Sequence, residues 1–186
     1  DAMYEDINHD GVINKYDIVY LGNTQPLVTG GGGVTVKYKQ VSLSAFFHGR
    51  FGQSIVNMAR MNNESMYGSS NQSKAVLRRW KNEGDNTDIP RALYNEGRNY
   101  LGSDRFVEKA SFVRLKSMTL SYGFPRKICN KFNVNSLSVF VTGYNLFTWT
   151  NYTGQDPEVS VKDNLAIDTA TTPVSKRFSF GLNMSF

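Results

Sequence analysis

The sequence predicts an all-β chain, the last five strands of a larger antiparallel transmembrane β-barrel, and three observations carry that expectation. Apolar and polar residues alternate strictly in "KRFSFGLNMSF": Phe178, Phe180, Leu182, Met184 and Phe186 stand between Arg177, Ser179, Gly181, Asn183 and Ser185. A barrel strand needs this pattern, because one face meets lipid and the other a wet lumen. The composition agrees, with 12 Phe, 10 Tyr and 16 Gly under a negative mean hydropathy, as when apolar residues are spread through alternating strands. Finally, short connections alternate with long ones, as periplasmic turns alternate with external loops in outer-membrane barrels.

Taken in order, residues 1–32 read as an external loop and 33–51 as a strand hairpin. Val34, Val36 and Tyr38 share one parity and Val41, Leu43, Ala45 and Phe47 the other; the change falls at Lys39-Gln40, as a tight turn requires if both apolar sets are to share a face. Residues 52–111 read as a long external loop and 112–149 as a second hairpin around "PRKICNKFN". In its first strand Met118, Leu120 and Tyr122 fit an apolar face, but Arg114 and Lys116 share their parity. Either a bulge intervenes near Ser117 or these cations lie above the hydrocarbon, and the second reading is preferred. In its second strand Leu137, Val139 and Val141 carry the apolar face. Residues 150–174 form a further external loop and 175–186 the closing strand. Five strands cannot close a barrel, and an open edge in lipid leaves unpaired backbone groups, so the chain is expected to be part of a larger barrel whose plug domain lies outside it.

Several classes are set aside by the same sequence. Lys and Arg outnumber Asp and Glu by 21 to 16, but without a basic run, so no nucleic-acid partner is expected. The single Cys129 gives no internal disulfide. No stretch has the apolar length of a membrane helix, and "DAMYED" reads as the middle of a chain instead of a signal peptide. No catalytic set is expected, so the chain reads as a non-enzyme. His9 and His48 are too few for a zinc site, and Asp156 and Glu158 read as an ordinary turn before a carboxylate pair. Gly30 to Gly33 lack the ending of a phosphate loop and read as a flexible strand entry.

Two segments carry candidate chemistry. In "DINHDGVINKYD", Asp6, Asn8, Asp10, Asn14 and Asp17 fall at positions 1, 3, 5, 9 and 12 of a calcium loop, Gly11 takes the turn position, and Val12 offers its carbonyl. Hard oxygen ligands at this spacing suit calcium. The alternative is an Asx-rich turn capping a short helix. In the long loop, Arg78, Arg79, Trp80, Asp88, Arg91 and Tyr94 lie close in sequence, and Arg with aromatic residues commonly anchors partner or substrate contacts. Internal packing of the loop is the competing reading.

The segments "DINHDGVINKYDIVYLGN", "TGGGGVTVKYKQVSLSAFFHGRFG", "TDIPRA", "SDRFVEKASFVRLKSMTLSYGFP" and "VTGYNLFTWTNYTGQDPEV", with the terminal Phe186, resemble in order the C-terminal barrel segment of SusC/RagA-type, TonB-linked outer-membrane transporters of Bacteroidetes. Lys109-Ala110 departs from that family's more usual acidic residue and Gly. The resemblance implies a barrel of roughly 22 strands holding a plug. It implies a SusD-like surface lipoprotein as lid, coupling to TonB, ExbB and ExbD through the missing N-terminal part, and import of oligosaccharides or peptides across the outer membrane. It also implies that Phe178, Phe180, Leu182, Met184 and Phe186 serve as the signal read by the barrel-assembly machinery. The calcium-like loop resembles half of a dockerin repeat as well, but dockerins need two copies. The rival functions are a calcium-binding surface adhesion or scaffold module and an outer-membrane barrel hydrolase.

Overall fold

The computed structural model describes residues 1–158, 161–162 and 165–186. Its strands, in chain order, are β1 (Val28–Tyr38), β2 (Val41–Phe51), β3 (Ser54–Asn57), β4 (Val107–Lys109), β5 (Phe112–Gly123), β6 (Ser136–Thr150), β7 (Val161–Lys162), β8 (Leu165–Asp168) and β9 (Arg177–Ser185). The chain divides into two units, one holding 26–53, 110–152 and 172–186, the other 1–25, 54–109 and 153–171.

The first, a sheet unit, is a five-stranded antiparallel sheet in the order β1-β2-β5-β6-β9. Alternation in the sequence becomes continuous rows across it. Val36 pairs with Leu43, Leu43 with Leu120, Leu120 with Val141 and Val141 with Phe180. The neighbouring row on the opposite face runs Thr35, Ser44, Thr119, Thr142 and Ser179, bridged by hydroxyl contacts Thr35–Ser44 at 2.9 Å and Thr119–Thr142 at 2.8 Å. Tyr38 faces Val41 across the two-residue turn, and Lys39 takes a left-handed backbone (φ 52°), a conformation that primed hairpin turns require.

The glycine run is not a strand entry. β1 begins at Val28, so Gly30–Gly33 lie inside it, paired through Gly33↔Phe46 and Gly31↔His48. A Cβ at Gly31 would sit 3.0 Å from Cζ of Phe46, and one at Gly33 3.3 Å from its Cδ2; the ring covers both glycines. Gly181 plays the same part opposite Phe140. A ring lying over a strand glycine restores the packing that the missing side chain gives up.

The preferred reading of Arg114 and Lys116 is also corrected. The β2–β5 register shifts at Phe46/Phe47 and the β5–β6 register at Leu115/Ser117, so a bulge changes the parity of β5. Arg114 thereby lies opposite His48 and Thr148; it is 1% exposed, donates from Nε to Thr148 Oγ1 at 2.9 Å, and holds its guanidinium 5.4 Å from the Phe112 ring centroid. A buried guanidinium needs such partners, and the bulge puts it among them.

The second, a loop unit, is built from what read as bare connections. Its four-stranded sheet has the order β4-β3-β8-β7, with β3 and β8 parallel through Val56↔Ile167 and the other pairs antiparallel. The chain is therefore all-β and mostly antiparallel, with only short helices. The helix α1 (Met58–Asn63) follows β3, capped by Asn57, whose side chain accepts from the Arg60 amide. Met66, Val76, Ile89 and Tyr100 form a small apolar core. Within the connection at 150–174, residues 159, 160, 163 and 164 lie outside the described residues.

Candidate functional site

The apolar wall of the sheet unit is its most unusual surface. Phe180 is 80% exposed and Leu182 57%, and they share one face with Leu43, Leu120, Val139 and Val141. An open apolar groove of about 870 Å³ runs along it, lined by Val41, Leu120, Tyr122, Val141, Phe180 and Leu182. Water disfavours contiguous apolar surface on this scale, so the wall marks a lipid or protein contact. Phe178, Met184 and Phe186 extend the same exposed set along the last strand. No described helix is long and apolar enough to cross a membrane; the apolar surface belongs to strands.

In the loop unit a cavity of about 890 Å³ is lined by Tyr4, Ile18, Trp80, Asp88, Leu101 and Arg105, among others. Of the loop residues singled out in the sequence, Trp80 and Asp88 reach this cavity. Arg78 lies 3.9 Å from Asp88, but both side chains are well exposed, so the pair contributes little. Arg79 donates to the Val76 carbonyl at 3.3 Å. Arg91 makes a two-pronged pair with Asp1, its Nη2 3.0 Å from Oδ2, and Tyr94 points into solvent. The structure thus spreads the six over four settings and does not gather them into one constellation.

What sequence reading missed is a charged clasp in this unit. Arg60 donates from Nε to Glu64 Oε1 at 3.1 Å and from Nη1 to Glu108 Oε1 at 3.3 Å; Arg105 donates to Glu64 Oε2 at 2.7 Å. Asn57 Nδ2 donates to Glu108 Oε1 at 3.1 Å, and Thr153 donates its amide to Glu108 Oε2 at 2.9 Å. Burial pushes the Glu108 carboxyl upward, but the Thr153, Asn57 and Arg60 hydrogen bonds outweigh it and hold the group below its ordinary value. Burial likewise works against the Arg60 charge, and the bonds to Glu64 and Glu108 prevail and raise it. Only the Arg60–Glu64 spacing of four along α1 was visible in the sequence; the other partners are over forty residues apart. Beside this clasp, burial pushes the Tyr100 phenol up to about 12.

The calcium-like loop closes on itself through backbone amides. Asp6 accepts from Asp10 N and Gly11 N, Asp10 from Val12 N, and Asp17 from Ile7 N and Asn14 N, at 2.7–3.2 Å. Those amides hold the Asp17 carboxyl below its usual value, led by Asn14. Asn14 caps a 3₁₀ turn, Lys15–Asp17, and its amide donates to the Val12 carbonyl. Asn8 turns its amide to Asp10 Oδ2. Among the described residues no three acidic, imidazole or thiol groups converge as an ion site. The oxygen donors suit calcium, and the side-chain oxygens of Asn8 and Asn14 accept from the Asp10 and Tyr16 amides. Asp156 accepts from the Glu158 amide at 2.8 Å, an Asx turn.

An antiparallel sheet with one broad apolar face, backed by a row of hydroxyl side chains, has the two-sided pattern that the strands of membrane barrels show. The comparisons agree. No family model matches the chain. It is 30% identical over its whole length to TonB-dependent receptor P26 and 29% identical over 99% of its length to TonB-dependent receptor P3, both of Formosa agariphila. Among solved structures it is similar to the RagAB peptide transporter (TM-score 0.74, 28% identity, 88% of this chain and 18% of that one). The RagAB peptide importer in its open-open state gives a TM-score of 0.71 at 27% identity, with 88% of this chain covered and 17% of that one. The chain is a relative of the TonB-dependent receptors, of the SusC/RagA type. It spans about a fifth of the length of the curated relatives it matches. These relatives are named as receptors and transporters, not enzymes.

Proposed function

We propose that this chain is the C-terminal part of the barrel of an outer-membrane, TonB-dependent importer of oligosaccharides or peptides. The observation that carries the reading is the wholly apolar, solvent-facing row Val36, Leu43, Leu120, Val141 and Phe180 backed by a row of hydroxyl side chains. In water that arrangement is costly; between lipid and a wet lumen it is what each side demands. The free edges of β1 and β9 pair with strands outside this chain and close a barrel of roughly 22 strands around a plug. The last strand, ending in Phe186, carries the assembly signal. A SusD-like surface lipoprotein closes over the external side, and the loop unit, through Arg78, Arg79, Trp80, Asp88, Arg91 and Tyr94, contacts this lid or the substrate. TonB, ExbB and ExbD supply the energy through parts of the transporter outside this chain.

Isolation of the full-length parent protein from its membrane tests this reading. A SusD-like lipoprotein is expected to copurify, and uptake of its substrate is expected to stop when the proton gradient is collapsed. A full-length protein that stays folded and monomeric in plain buffer, without detergent, overturns the barrel reading. Calcium at Asp6, Asn8, Asp10, Val12, Asn14 and Asp17 belongs to the same proposal as a stiffener of an external loop. Chelator is then expected to expose the chain near Asp10 to protease and calcium to protect it; equal cleavage in both leaves the segment a turn.

A further inference from the structure

One aromatic cluster lies on the apolar face, at the end of the sheet where the long connections leave it. Phe47 and Trp149 have ring centroids 6.4 Å apart and Phe147 and Trp149 6.1 Å apart; all three are substantially exposed. Phe47 and Phe147 both pair with Leu115, which places them on the same face. Lys176 shares the parity of Phe178 and Phe180 and holds its ammonium 5.6 Å from the Phe147 centroid. At the short-turn end, Tyr122 and Phe124 pack edge to face at 5.2 Å, and the exposed Tyr38 lies on the same face. Val139 pairs with Tyr122, and Trp149 lies roughly ten residues further along β6. At about 3.4 Å per residue and a tilt of about 40°, that length rises about 25 Å, the height of a lipid-facing apolar band.

Aromatic rings placed at both borders of such a band sit at headgroup level, and a cation among them meets whatever charge the headgroups carry. Long external loops assign the Phe47–Trp149 end to the outward leaflet, which in a bacterial outer membrane is made of phosphate-bearing glycolipid. Resting on the membrane reading above, we propose that Phe47, Phe147, Trp149 and Lys176 form a binding site for the phosphorylated sugar headgroup of an outer-leaflet glycolipid. Lys176 pairs with the phosphate. Trp149 and Phe147 cover the sugar and the first acyl carbons. The site fixes the depth at which this part of the barrel sits.

The test uses the full-length parent protein in its own outer membrane, with the photoreactive residue p-benzoylphenylalanine in place of Trp149 and, separately, of Leu120. The Trp149 probe is expected to capture phosphoglycolipid. That yield is expected to fall about fivefold with Lys176→Gln, the effect of one basic residue beside an anionic lipid surface, and to be kept with Lys176→Arg. Capture of glycerophospholipid alone or of a protein at position 149, or a yield indifferent to Lys176→Gln, overturns the site. The Leu120 probe separates the two readings: lipid captured there without glycolipid at 149 removes only this inference, whereas no lipid at either position removes the membrane reading as well.

Discussion

The sheet unit turns one whole face of large apolar residues outward, while the loop unit gathers part of its own into a small buried core. Phe180 and Leu120 face solvent in the first, whereas Ile89 and Phe106 are 1% exposed in the second. Both arrangements come from one chain, and on the membrane reading proposed above the difference lies in the solvent each part meets. A unit meant for water hides its apolar atoms and clasps its charges; a wall meant for lipid shows its apolar atoms and hides its hydroxyls on the other side. The polar groups tell the same story. Thr119 and Thr142 satisfy each other across strands of the wall, while Glu64 and Glu108 are satisfied by arginines gathered from distant segments.

Truncating a core residue in the loop unit probes the water-adapted side of this contrast and is expected to have the largest effect. Phe106→Ala should cost that unit about 3–5 kcal/mol, read as faster amide exchange in residues 54–109 of the full-length protein. Leu120→Ala, by contrast, should leave the wall's exchange nearly unchanged, and an equal loss at both positions would erase the distinction. A charge in the wall comes next: Leu120→Arg is expected to cost about 2–4 kcal/mol when the protein is folded into lipid vesicles, measured by denaturant titration. A negligible cost there would mean that Leu120 does not face hydrocarbon.

The clasp sharpens the comparison from the polar side. Glu108→Gln is expected to loosen the loop unit by about 1.5–3 kcal/mol, since hydrogen bonds to a charged group are lost, and to leave the pairing of β2 with β5 intact. The pH dependence has a fixed sign. The folded carboxyl of Glu108 lies below its ordinary 4.5, so its stabilisation is fully present above that value and is lost as the pH falls through the depressed folded value. Acid titration followed by proteolysis of the loop unit should show this loss in the native protein and not in the Gln variant. The smallest expected effect is at Gly181, where an added Cβ would run into the Phe140 ring. Gly181→Ala should cost about 1–3 kcal/mol by overpacking, with much of it recovered in the Phe140→Ala double variant; additive losses would show that ring and glycine are not coupled.

The five long strands and their two faces were legible because a strand writes its environment at every second residue, and "KRFSFGLNMSF" leaves no other period to choose. The turn at Lys39-Gln40 was legible for the same reason: a change of parity has to be absorbed somewhere. Gly30–Gly33 misled, since glycine carries no side chain with which to declare a face, and only the position of Phe46 shows that the run is covered strand. Arg114 misled for a related reason. A bulge shifts parity by one, and nothing local in "FVRLKSMTL" fixes which residue is extra; the cross-strand register of β2 and β6 does. In the candidate loop, the sequence marked Arg, Trp and Tyr as contact residues but could not say that Trp80 and Asp88 reach a cavity while Arg91 is occupied by Asp1.

By itself, then, the sequence determined that this protein builds two-faced strands joined by alternately short and long segments, because alternation and turn chemistry are local properties of neighbouring residues. Only the tertiary structure decided that the long segments fold into a unit of their own, with β3 parallel to β8 and Glu108 meeting Asn57, Arg60 and Thr153. Such pairings join residues far apart in the chain, and their energy depends on geometry that the closing of loops sets and that no short stretch of sequence contains.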